Sequence, residues 1–182
     1  MTDGLIHPCS PSDLPEVVAL VNAAYRGADG SSGWTSEVGL VEGQRVTLDS
    51  LREEFASAPG ISIGLLRQPP ALLACVRVED GRGRESEAAC CIGMLAVRPG
   101  SQSAGVGGRM LDWAEREGRA RGATIARMTV VSVRTGLIEW YERRGYRRTG
   151  EREPFPYDDE RFGKPQRPGL EFVYLQKELG SK

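Results

Sequence analysis

A glycine-rich segment from Gln102 to Gly108 has the residue types that most clearly suit chemistry in this sequence. It reads Gln-Ser-Ala-Gly-Val-Gly-Gly and lies between an almost wholly apolar stretch, residues 88–97, and a predicted helix over residues 107–121. A turn of this kind directs several backbone N–H groups into one concavity, and the N-terminus of the following helix adds partial positive charge. The segment therefore predicts a pyrophosphate site; a tight turn that binds no ligand is the alternative.

Two common phosphate-binding patterns do not fit the segment. A Walker A loop requires Gly-Lys followed by Ser or Thr, which is absent here. A dinucleotide fingerprint requires Gly-x-Gly-x-x-Gly, but Met110 occupies the place of the third glycine. The glycines alone therefore leave the class of phosphate ligand open.

Three segments in a fixed order carry a resemblance to a known family. Residues 102–107 follow the pattern Gln-x-x-Gly-x-Gly, and residues 95–99, Leu-Ala-Val-Arg-Pro, end the apolar strand before it. Residues 140–146, Trp-Tyr-Glu-Arg-Arg-Gly-Tyr, follow as the end of a later helix. In these motifs, and in the order of elements over almost the whole chain, the sequence resembles the GNAT superfamily of acyl-CoA N-acyltransferases.

The resemblance implies acetyl-CoA as the acyl donor and no metal. It implies that the backbone of residues 102–108 binds the pyrophosphate and that the backbone of Leu95 and Val97 pairs with the pantetheine arm. Arg134 stands where many members have an asparagine that contacts CoA, so it either touches CoA or lies on the surface. Ser103, Gly108 and Arg109 depart from the family's usual residues, which weakens side-chain assignments but not backbone ones. The residues assigned to the acetyl-CoA site are Leu95, Ala96, Val97, Gln102, Ser103, Ala104, Gly105, Val106, Gly107, Gly108 and Arg134.

Tyr141 is the residue that the resemblance implies faces the thioester sulfur. A tyrosine has an ordinary pKa of about 10 and a thiol about 8.5, so a neutral tyrosine can hydrogen-bond to a departing thiolate and protonate it. The alternative is that Tyr141 is a core aromatic residue packed beside Leu137 and Ile138. The predicted activity is transfer of the acetyl group to a primary amine by direct attack in a ternary complex. A non-catalytic acyl-CoA-binding or sensing module is the alternative function.

Two loops are expected to line the acceptor pocket, by the same resemblance. They are residues 33–37 and residues 155–162, and each combines aromatic with acidic side chains. Such a mixture suits a cationic amine, either of a small molecule or of a peptide. The alternative is a packed Trp34 and a solvated run of charges. Glu37 and Asp158 are also candidate general bases. The candidate acceptor residues are Trp34, Glu37, Tyr157 and Asp158.

Composition places bounds on location and partners. The chain has 182 residues and a formal net charge of -1, which fits one domain over residues 1–182 and gives no general attraction to nucleic acid or anionic membranes. No apolar run reaches the roughly 18 residues of a membrane helix, and the N-terminus lacks a signal-peptide core, so a cytoplasmic location is expected.

The four cysteines have neither zinc nor disulfide spacing. A homodimer is possible.

The predicted elements alternate in the way that an α/β protein requires. Buried strands and amphipathic helices follow each other through the second half, which predicts a β-α-β crossover. With the resemblance, this predicts a mixed, mainly antiparallel central sheet flanked by helices on both faces. In order, we expect a strand over 4–9, helices ending at Gly27 and before Pro59, strands over 61–66, 71–78 and 88–97, a helix over 107–121, a strand over 125–131, a helix over 135–144 and a strand over 170–176.

Overall fold

The computed structural model describes residues 4–27, 36–58, 60–81, 88–102 and 105–180. No helix formed by these residues is long and apolar enough to cross a membrane. The α-helices are α1 (Leu14–Asn22), α2 (Leu48–Ser57), α3 (Val106–Ala120) and α4 (Thr135–Glu142), and α1 continues as a π-helical segment, Ala23–Gly27. The strands are β1 (Ile6–Pro8), β2 (Val41–Glu42), β3 (Ile61–Gln68), β4 (Ala71–Gly81), β5 (Ala89–Val97), β6 (Ile125–Val131), β7 (Arg147–Pro154), β8 (Lys164–Pro165) and β9 (Glu171–Glu178).

Seven strands form one sheet in the order β1-β3-β4-β5-β6-β9-β7. Neighbouring strands are antiparallel except β5 and β6, which are parallel. A parallel pair needs a crossover connection, and α3 supplies it. The predicted mixed, mainly antiparallel sheet is confirmed. The short β2–β8 ribbon was not predicted, because two-residue strands leave no periodic pattern in a sequence.

Helices cover both faces of the sheet, as predicted. The apolar faces of α1 and α2 pack on one side, where Leu14, Val17 and Leu51 are buried. On the other side α3 and α4 bury Met110 and Ile138. Each helix repeats apolar residues at three- and four-residue spacing, so one stripe faces the sheet and the remaining stripe meets solvent.

The central strands β5 and β6 diverge along their length. Their pairing runs from Ala89 opposite Ile125 to Cys91 opposite Arg127, and in the described chain it ends there. Met94 has a φ of 53°, in the left-handed region that a non-glycine residue seldom adopts, and the β4–β5 register shifts beside it. The end of β5 therefore turns a backbone edge that β6 does not pair toward a cleft between the strands.

Candidate active site

A first cavity of about 220 Å³ lies where the end of β5 meets the first turn of α3 and the face of α4. Glycines form much of one wall and aromatic and basic side chains form the other. We call it the glycine-turn cavity. Its lining is Tyr25, Leu95, Val97, Gln102, Gly105, Gly107, Gly108, Arg134, Leu137, Trp140, Tyr141 and Arg144.

The glycine turn has a local geometry that suits an anion. Gly105 precedes α3 with a φ of 73°, a conformation that glycine adopts without steric cost. Residues 106–108 form the first turn of α3, whose N–H groups have no carbonyl partner within a helix. A Cβ atom at Gly107 would lie 3.4 Å from the Trp140 ring, which is an ordinary van der Waals contact, so α3 and α4 leave room for a methyl group there. Unpaired N–H groups at a helix N-terminus bind phosphate well.

Arg144 places a positive charge at the same turn. Its guanidinium lies 3.7 Å from the centroid of the Trp140 ring, and a Cβ atom at Gly108 would be 3.3 Å from its Nη2. Burial lowers the pKa of this guanidinium. Sequence analysis did not single out either Trp140 or Arg144, although both lie in the motif over residues 140–146. Residues four apart on a helix are neighbours, so this spacing could have indicated that the two side chains lie together.

A second cavity, of about 420 Å³, lies between the diverging strands β5 and β6. The segment before α2 and the loop after β7 complete its walls. We call it the strand cavity. Its lining is Tyr25, Glu37, Arg45, Ile92, Gly93, Met94, Leu95, Met128, Thr129, Val130, Val131, Arg134, Leu137, Tyr141, Glu153, Pro156, Phe162 and Phe172.

The two cavities meet at a shared wall made of Tyr25, Leu95, Arg134, Leu137 and Tyr141. Tyr141 is 7% exposed, and its hydroxyl has no hydrogen-bond partner in the described part of the chain. Burial raises the pKa of Tyr141, so its phenol is neutral at physiological pH. A neutral donor with no partner among the described residues thus lies at the junction.

Tyr25 contributes a second hydroxyl to this wall. It donates a hydrogen bond to the carbonyl oxygen of Leu95 at 3.2 Å. Burial also raises the pKa of Tyr25. The sequence alone did not identify Tyr25 as a site residue, since a helical pattern cannot tell a core tyrosine from one that faces a cavity.

Glu37 lies in the strand cavity, but it is not a free carboxylate. It is 6% exposed, its Oε2 forms an ion pair with Arg26 and its Oε1 lies 3.1 Å from Nη1 of Arg134. Both oxygens are thus engaged by guanidinium groups. This geometry does not favour the expected roles of Glu37 as ammonium attractor or general base, because either role requires an available oxygen.

Arg134 is buried rather than on the surface, since only 8% of its side chain is exposed. It lines both cavities, and its guanidinium carbon lies 5.6 Å from the centroid of the Tyr25 ring. The surface alternative for Arg134 is therefore wrong. Its contact with CoA stays a prediction.

The other predicted site residues divide into four groups. Leu95, Val97, Gln102, Gly105, Gly107 and Gly108 line the glycine-turn cavity. Ala96 and Val106 are buried in the core and line neither cavity, so only their backbone groups are available. Tyr157 and Asp158 are exposed and line neither cavity, and the Tyr157 hydroxyl bonds the backbone of Arg167 and Leu170. Trp34, Ser103 and Ala104 lie outside the described residues.

Comparison with known proteins gives a family match. Residues 34–146 match the model described as the acetyltransferase (GNAT) family. That match spans well over half of the chain and includes the glycine turn and Tyr141. None of the curated proteins compared with the chain matches it in sequence.

Solved structures share the fold over nearly the full chain. The ribosomal-protein-alanine N-acetyltransferase from Brucella melitensis superposes with a TM-score of 0.69 at 16% identity, covering 96% of this chain and 99% of its own. The structure of yncA, a putative acetyltransferase from Salmonella typhimurium with its cofactor acetyl-CoA, gives 0.70 at 15% identity, with 99% and 96% covered. The ribosomal-protein-S18-alanine N-acetyltransferase from Escherichia coli gives 0.68 at 14% identity, with 98% and 96% covered. At these identities the likeness concerns the fold.

Proposed function

We propose, since this chain belongs to the acetyltransferase (GNAT) family, that it moves the acetyl group of acetyl-CoA to a primary amine by direct attack in a ternary complex. Family membership makes it an acetyl-CoA-dependent acetyltransferase. One observation carries the finer proposal: two cavities meet at the Tyr141 side chain. Direct transfer requires donor and acceptor in adjoining sites, and a shared wall between two cavities suits that requirement.

The glycine-turn cavity is the site for the donor. The first-turn N–H groups of α3 and the guanidinium of Arg144 bind the pyrophosphate, which such a cluster of donors suits. The open edge of β5 at Leu95 and Val97 bonds the pantetheine amides as an added strand would. Tyr141 then lies at the thioester end.

The strand cavity holds the amine that attacks the thioester carbonyl carbon. The new C–N bond forms as the C–S bond breaks, and Tyr141 gives its hydroxyl proton to the departing sulfur. The nitrogen loses one proton to water before attack and one as the amide forms, and Tyr141 regains its proton from solvent. Neither Glu37 nor Asp158 is assigned as the base, because Glu37 is held by two arginines and Asp158 is exposed outside both cavities.

A thiol-release assay with acetyl-CoA and a broad panel of amines tests this function. We expect release of free CoA thiol that depends on the amine and is matched by formation of the N-acetyl product. The rival function, a non-catalytic acyl-CoA-binding or sensing module, predicts tight acetyl-CoA binding with no amine-dependent release. A panel in which acetyl-CoA binds and no amine is acetylated would support that rival.

A further inference from the structure

The strand cavity contains one guanidinium group, that of Arg45, which forms no ion pair with any residue that the structure describes. Arg26 and Arg134 are both paired with Glu37. Arg45 lines the same cavity, yet its guanidinium forms no ion pair and no side-chain hydrogen bond with any described residue. Glu153 also lines the cavity and keeps its negative charge, but it is exposed, it forms no ion pair with Arg45, and it accepts a hydrogen bond from the Tyr174 hydroxyl at 2.5 Å.

The position of Arg45 is fixed by the fold. Oδ1 of Asn22, at the end of α1, accepts a hydrogen bond from the Arg45 backbone N–H at 2.6 Å, and Nδ2 of Asn22 donates to the Val46 carbonyl at 2.8 Å. The Arg45 guanidinium carbon lies 5.6 Å from the centroid of the Tyr25 ring. Tyr25 belongs to the wall shared by both cavities, so Arg45 is held on the acceptor side of the junction.

Resting on the proposed function, we infer that the acceptor carries a carboxylate as well as its amine, and that Arg45 binds this carboxylate. A partly buried guanidinium beside an aromatic ring is well placed for a planar anion, because its N–H groups match two carboxylate oxygens in a bidentate pair. A cavity of about 420 Å³ suits a small molecule of this kind. The acceptor class is thus that of free amino acids and related zwitterions, rather than peptide N-termini.

The acidic loop residues predicted a preference for cationic acceptors, and this inference replaces it with a preference for acceptors that carry a carboxylate. That expectation needed Glu37 and Asp158 to give the pocket a negative field. Glu37 is instead enclosed by two guanidinium groups, and Asp158 is exposed outside the cavity linings. Among the described residues, Arg45 is the cation of the strand cavity that no carboxylate pairs.

Matched acceptors provide the test. Each of several amino acids is compared with its α-amide and with the amine that lacks the carboxylate. A further comparison, of O-phosphoethanolamine with β-alanine, distinguishes a phosphate site from a carboxylate site. We expect kcat/KM to be about tenfold or more higher for the carboxylate member of each set, as one charge-assisted pair would give. Equal kcat/KM within the sets, or a preference for the phosphate, overturns the inference.

Variants of the full-length enzyme assign the preference to its residue. Arg45→Gln should abolish the preference by raising KM for the carboxylate members alone, and Arg45→Lys should restore part of it. Arg52→Gln removes an exposed charge on α2, which lines neither cavity, and should leave the preference intact. A preference that persists in a folded Arg45→Gln variant overturns the assignment.

Binding measurements separate this inference from the proposed function. Calorimetry of the same compounds, with the wild-type enzyme saturated with CoA, should show tighter binding of the carboxylate members whether or not turnover occurs. If they bind more tightly but no amine is acetylated, the proposed function fails and the carboxylate site stands. If amines are acetylated without regard to the carboxylate, the proposed function stands and the site is rejected.

Discussion

Nη1 of Arg134 lies 3.1 Å from Oε1 of Glu37, although 97 positions separate the two residues in the sequence. Arg134 precedes α4 and Glu37 precedes β2, so the ion pair fastens the start of α4 to the segment that closes the strand cavity. The Arg26 side chain binds the second oxygen of Glu37 from α1's π-helical extension. One carboxylate thus joins three separate parts of the acceptor wall.

Replacing Glu37 with Gln should lower stability markedly. The change leaves two buried guanidinium groups without their counter-charge, and breaking a buried pair in this way costs about 3–5 kcal/mol. Urea unfolding measures the free energy. Glu139→Gln removes an exposed carboxylate on α4 and should change it by no more than about 0.5 kcal/mol. Equal stability of the two variants would contradict the bridging role.

Tyr141→Phe should lower kcat by about 10²-fold or more, the usual contribution of a general acid. The affinity for acetyl-CoA and the unfolding free energy should stay close to those of the wild type, because the hydroxyl has no hydrogen-bond partner among the described residues. Tyr146→Phe removes a hydroxyl that bonds Glu115, and both residues lie outside the two cavity linings, so this variant serves as the control for turnover. Unaltered turnover by Tyr141→Phe would leave Tyr141 with a packing role only.

Gly107→Asp should weaken CoA binding, while Gly107→Ala should weaken it much less. Both variants place a Cβ atom 3.4 Å from the Trp140 ring, so the difference between them isolates the negative charge. Like charges in contact cost several kcal/mol, so the affinity of the Asp variant should fall by about 10²-fold or more. Calorimetry with CoA measures both. Equal affinities of the two variants for CoA would show that the pyrophosphate does not bind at this turn.

Arg144→Gln should weaken CoA binding by about tenfold and flatten its dependence on salt concentration, because one charge-assisted contact to phosphate is lost. Arg143→Gln removes the same charge from the neighbouring position, which is exposed and lines neither cavity. Calorimetry at two ionic strengths compares the pair. If both variants lose affinity equally, the effect comes from general charge and not from the Arg144–Trp140 contact.

Alkaline pH should destabilise the fold through its buried thiols. Burial raises the pKa of Cys75 to about 12, whereas an unfolded thiol ionises near 8.5. The unfolded chain therefore loses its proton first, so the neutral thiol's contribution is intact below about pH 8.5 and declines from there toward pH 12. Between pH 7.5 and pH 10, Cys75→Ala should lose about 1–2 kcal/mol less unfolding free energy than the wild type. Urea unfolding measures these free energies at each pH. Equal losses in the wild type and in Cys75→Ala would exclude Cys75 as the cause.

The sequence by itself determined the elements and the family. Apolar periodicity located the central strand over 89–97 and strand 125–131 to within a residue, since side-chain spacing along one element reflects local backbone geometry. The glycine turn could be identified for the same reason, because conformational freedom and the lack of a side chain are local properties of glycine. The order of these elements and three short motifs then indicated the family that the comparison confirmed.

Tertiary structure alone decided what the acceptor side of the site contains. The sequence predicted Glu37 as a carboxylate for the acceptor amine, whereas the packing of α4 and the π-helical segment encloses it between Arg26 and Arg134. Arg45 carried no motif, and the hydrogen bonds of Asn22 set it in the strand cavity. A sequence states which residues are charged, but the distance between charges far apart in the chain depends on how strands diverge and helices dock. Whether each charge is neutralised by another follows from that distance.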